Sequence, residues 1–85
     1  MQTISDLNTW TEVSGLASGK KYLLQATVNS NQGLDTKLVE VYWCQQEDTP
    51  DGSVQSIADT LECSGDIKVW VKSPCKVYIS AQEVI

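Results

Sequence analysis

The sequence predicts an all-β chain, a compact antiparallel β-sandwich or jelly-roll-like domain of about seven short strands. Three observations carry that prediction. Short runs that alternate apolar and polar residues recur from Lys21 onward, and Gly, Asn, Asp and Pro punctuate them. There is no Phe, so the core falls to Val, Ile and Leu with three Trp and three Tyr, residue types suited to a pleated, half-buried surface. No internal repeat or low-complexity segment interrupts the pattern.

Residues 1–9 are polar and without a clear period, and read as an N-terminal arm with one helical turn begun by Ser5 or Asp6. Residues 10–85 make up the single β-sandwich domain. Residues 10–13 form a short β-prone stretch. Gly15 and Gly19 bound a turn-rich link in which positive φ is open to them.

The run KYLLQATVN then alternates cleanly. Tyr22, Leu24, Ala26 and Val28 share one face, and Leu23, Gln25 and Thr27 share the other. Residues 29–33 form a loop of types that tolerate left-handed backbone. The run LVEVYWCQ over 38–45 is the next strand, with Val39, Val41 and Trp43 on one side and Leu38, Glu40, Tyr42 and Cys44 on the other. An acidic turn follows at 47–52, where Pro50-Asp51-Gly52 breaks the chain.

Residues 53–61 fit helical spacing through Val54, Ile57, Ala58 and Leu61, and equally two short strands around a bend. We take the strands. The run IKVWVK over 67–72 turns Ile67, Val69 and Val71 inward and Lys68 and Lys72 outward. Ser73-Pro74 is a turn, and 75–84 closes a terminal hairpin with Val77, Ile79 and Ala81 on one side.

A domain of 85 residues buries only about 60–65% of the surface its unfolded chain exposes, so oligomerisation is the expected source of added stability. Six basic against eleven acidic residues leave a net charge of −5, which disfavours nucleic acid and anionic membrane surfaces. No apolar run is long enough to span a bilayer as a helix. Met1 is followed by polar residues, and the expectation is a reducing cytoplasm with free thiols. Cys44, Cys63 and Cys75 are odd in number, and whether Cys63 and Cys75 pair stays open.

Catalysis is not expected. The chain has no histidine, hence neither the commonest general base nor the commonest metal ligand. No Ser-x-x-Lys pair or Gly-rich phosphate cradle takes its place. Three thiolates do not close a structural zinc site. Glu47, Asp48 and Asp51 lack the ligand spacing of a calcium loop, so they read as a solvated turn. No metal or cofactor is expected.

Trp10-Thr11-Glu12-Val13, Gly15-Leu16 and Gly19-Lys20-Lys21-Tyr22-Leu23-Leu24-Gln25 together resemble the opening of small tailed-phage virion proteins of the head-fibre and head-decoration kind. There a Trp-led strand passes through a Gly-containing turn into a Tyr-bearing strand. Gly65-Asp66-Ile67-Lys68-Val69-Trp70-Val71-Lys72-Ser73, followed by Val77 and Ile79, is similar to their closing Trp-containing hairpin. The middle of the chain, 29–64, departs from such modules.

The resemblance implies a phage or prophage structural protein made in the bacterial host cytoplasm and built into the virion. It would assemble as a homotrimer and serve capsid decoration or fibre attachment, binding another virion protein. Trp10, Tyr22, Trp70 and Tyr78 are the expected interface positions. Two other readings stand beside it: a monomeric carbohydrate-binding module with exposed tryptophans as its platform, and a small acidic inhibitor of one host protein.

Overall fold

The alternation in KYLLQATVN sets the spine of the molecule. It forms a nine-residue strand, β3 (Lys21–Asn29), with Tyr22, Leu24 and Ala26 buried on its inner face. The computed structural model describes residues 2–29, 36–51 and 56–85. Within these the chain is all-β, a small sandwich of two antiparallel sheets.

The first sheet lays β1 (Gln2–Ile4) beside β9 (Val77–Val84), and β9 beside β3. The far side of β3 is shared. β7 (Thr60–Ser64) pairs with residues 21–25, and β4 (Thr36–Leu38) with residues 27–29. The second sheet runs β2 (Thr11–Glu12), β8 (Val69–Lys72), β5 (Val41–Gln45), β6 (Ser56–Ala58).

Inner faces of the two sheets meet in one core. Tyr22, Leu24, Ala26, Val77 and Ile79 come from the first, and Val41, Trp43, Val69 and Val71 from the second. Trp43 is 1% exposed, and its indole N–H donates to the Ala58 carbonyl at 2.8 Å, so its polar atom is satisfied inside the core.

The described residues contain nine strands against the seven or so expected, because residues 2–4 form a strand and the run over 38–45 divides in two. Within the N-terminal arm β1 pairs with β9 from Gln2↔Ile79 to Ile4↔Val77, and Ile4 is 2% exposed. One apolar residue reaching the core suffices to order a segment that is otherwise polar. No helical turn forms at Ser5 or Asp6; the chain turns through Asn8 in the left-handed region at φ 56°.

The strand expected over 38–45 breaks at Val39-Glu40, where the chain leaves β4 and crosses to β5 in the other sheet. Of residues 53–61, those from Ser56 on are strands, β6 and β7, with the bend at Asp59 again changing sheets; 53–55, like the expected loop over 30–33, lie outside the described residues.

The expected terminal hairpin is an arch. β8 pairs with β2 and β5, and β9 with β1 and β3, so the two strands face each other across the core. Both carry inward valines, a pattern that hairpin and arch produce alike. The arch is held at Ser73, 1% exposed, whose carbonyl accepts the Asn8 N–H at 2.8 Å and whose hydroxyl accepts the Cys75 N–H at 3.2 Å. Ile67, expected inward, is 46% exposed because the strand begins only at Val69.

One side chain ties the sheets together, and a second ties two turns. The Gln2 amide donates to the Glu12 carbonyl at 3.0 Å and accepts the Ser14 N–H at 2.9 Å, occupying the outer edge of β2. Asp66 accepts from the Ser18 hydroxyl at 2.7 Å and the Gly19 N–H at 2.8 Å, fastening the turn before β3 to the turn after β7. Gly65 lies so close to Ala17 that a Cβ there would overlap the Ala17 carbonyl.

Candidate functional site

In the second sheet the residues between the core positions point outward, and they are unusually aromatic. Cross-strand register places Glu12, Trp70 and Cys44 in one row, and Lys72, Tyr42 and Ile57 in the next. Trp10, immediately before β2, joins the second row. The Lys72 ammonium lies 4.8 Å from the Trp10 ring centroid and 5.2 Å from that of Tyr42, a cation held between two rings. Trp10, Tyr42 and Trp70 are half-buried and Ile57 is 59% exposed.

Gln46 anchors the end of this face. Its N–H donates to the Lys68 carbonyl at 3.0 Å, its carbonyl accepts the Trp70 indole N–H at 2.9 Å, and its side-chain oxygen accepts from the Cys44 thiol at 3.3 Å. Cys44 therefore lies on the outer face and is still only 4% exposed. Burial, and then the nearby Asp51 charge, push its thiol above the usual range, so it stays protonated and unreactive. Burial likewise raises the Cys63 thiol. All three cysteines are free, and Cys63 and Cys75 do not pair.

Of the four expected interface residues, the structure brings Trp10 and Trp70 to one face and separates the other two. Tyr22 is an inner-face residue of β3, 8% exposed, and its hydroxyl accepts the Ala17 N–H at 2.9 Å. It lines the core and offers no ring to a partner. Tyr78 lies on the outer face of the opposite sheet, where the Asn29 amide reaches its hydroxyl at 3.5 Å and the Lys76 ammonium lies 5.7 Å from its ring.

Sequence reasoning passed over Tyr42, Lys72 and Ile57 as members of the face. Alternation already put Tyr42 opposite Trp43 and Lys72 opposite Val71. What one-dimensional pattern lacks is the strand order that lines them up.

The arrangement can bind through ring faces and apolar area. Among the described residues no three His, Cys, Asp or Glu side chains gather as a metal site. No family model matches the chain, and no curated protein or solved structure matches it either.

Proposed function

We propose that this chain is a non-catalytic structural subunit of a phage or prophage virion, a capsid-decoration or fibre-attachment module that docks on another virion protein through the outer face of its second sheet. The observation that carries the docking is the placement of Trp10 and Tyr42 around Lys72, with Trp70 in the adjacent row of the same face. Tryptophan and tyrosine are enriched at the centres of protein interfaces, where they supply large contact area at little rotamer cost. The virion setting is supported by the resemblance at the two ends of the chain.

The carbohydrate-binding reading ranks lower on geometry. A sugar platform needs open ring faces and spare donors, whereas Lys72 lies over Trp10 and the Trp70 N–H is committed to Gln46.

Particles purified by density gradient from the encoding host test the proposal. The chain is expected in them by mass spectrometry, and Trp70→Ala is expected to be lost from particles while remaining folded in the lysate. Absence of the parent chain from particles, or binding of the free chain to an array of glycans, overturns the reading.

A further inference from the structure

The row through Trp10, Lys72, Tyr42 and Ile57 crosses four neighbouring strands about 4.8 Å apart, so it spans about 14 Å of the second sheet. Its one charge is the Lys72 ammonium, second in the row with a ring on either side. Ile57 ends the row as an uncovered apolar side chain.

Eleven acidic residues accompany six basic ones in this chain, yet Lys72 has not been given a carboxylate. Lys20 takes Glu83 at 3.2 Å, whereas Lys72 has neither ion pair nor hydrogen bond to a side chain or carbonyl among the described residues. Glu12 stands in the adjacent row, opposite Trp70, and is not within ion-pairing distance. The two ring faces attract the cation and hold it in place, but they supply none of the strong acceptors that its three N–H groups can use. On an open face, water supplies them.

Covering the row removes that water. A wholly apolar partner surface would strand the half-buried charge, and a basic one would add repulsion. A carboxylate set between apolar side chains avoids both costs. The net charge of −5 disfavours a polyanion along the whole face. A single carboxylate in contact with Lys72 lies well inside the screening length of about 8 Å and feels chiefly the ammonium.

We propose that this face, on the docking reading above, receives an acidic segment of the partner virion protein, which sets an Asp or Glu carboxylate on Lys72 and apolar side chains over Trp10, Tyr42 and Ile57. The rings pre-position the ammonium, so little of its freedom is lost when the carboxylate arrives.

The test begins with particles purified by density gradient and treated with a water-soluble carbodiimide, which joins an amine to a carboxylate in direct contact. Lys72 is expected to be found, by mass spectrometry of the linked peptides, joined to an Asp or Glu of another virion protein. Copy number per particle is then compared for Lys72→Arg and Lys72→Met, with folding of each followed in urea. Arginine keeps the charge and stacks on rings, and is expected to hold affinity within about twofold of the parent. Methionine keeps the stem and its apolar area without the charge, and is expected to lower affinity about tenfold.

A chain present in particles whose Lys72 is linked only within this chain or to nothing, or whose Lys72→Met variant is retained like the parent, overturns the proposal and leaves docking through the rings standing. Absence of the parent chain from particles removes the docking reading beneath it.

Discussion

The two outer faces of the sandwich are built on the same alternation and differ in what they carry. On the first sheet the rows across the strands read Thr3, Tyr78, Thr27, Leu38, then Ser80, Gln25, Thr60 and Gln82, Leu23, Glu62, one ring among mostly short or polar side chains. On the second they read Glu12, Trp70, Cys44 and Lys72, Tyr42, Ile57, with Trp10 alongside. Inner faces do the folding in both. An outer face therefore has latitude, and a fold of this size has no structural need to hold three rings at its surface. The proposed docking face rests on that difference.

That comparison can be broken from the inside outward. Trp43→Ala empties the core that both sheets share and is expected to cost about 3–5 kcal/mol, enough to remove the cooperative transition in urea from a small domain. Trp70→Ala strips a half-buried ring from the second face. It is expected to cost about 1–2 kcal/mol in the same titration and yet to abolish docking, which separates contact from stability.

Gln25→Ala on the first face is expected within about 0.5 kcal/mol of the parent, with docking unchanged. An equal loss of docking from Gln25→Ala and Trp70→Ala would erase the distinction between the faces.

The smallest effect belongs to neither face. Hydrogen bonds from Ser18, Gly19 and Ser64 hold the Asp66 carboxyl below its ordinary 3.8. A depressed carboxylate contributes stability above its unfolded pKa and loses it as pH falls through the folded value. Asp66→Asn is therefore expected to be slightly less stable than the parent at neutral pH, with the gap closing below about pH 4, as read from thermal melts across that range.

Much of this was legible in the sequence, and the reason is periodicity. Tyr22, Leu24 and Ala26 were assigned to one face from spacing alone, and β3 has the bounds its alternation gives. Trp10 and Trp70 were recognisable as candidates because each stands out in a β pattern. What alternation cannot carry is sheet membership. Val39 continues the spacing of Val41 and Trp43 across a corner at which the chain changes layers, and Val69 and Val77 look alike whether their strands pair or oppose. Tyr22 fills the core at 8% exposed, and an aromatic at an inward position reads the same in sequence whether it fills the core or borders it. Ile4 was missed because a single buried residue has no period at all.

The crossings between layers have a kinetic consequence. Among the described residues only the steps β3 to β4 and β5 to β6 join strands that pair; every other step changes sheets. The first sheet cannot close until Gln2 finds Ile79 and Thr27 finds Tyr78, partners far apart in sequence. Contacts so distant in sequence place folding on the slow side, in the millisecond-to-second range typical of all-β domains. A nascent chain emerging from the ribosome would hold β1 and β3 in waiting, with no complete layer to join, until β9 had left the tunnel.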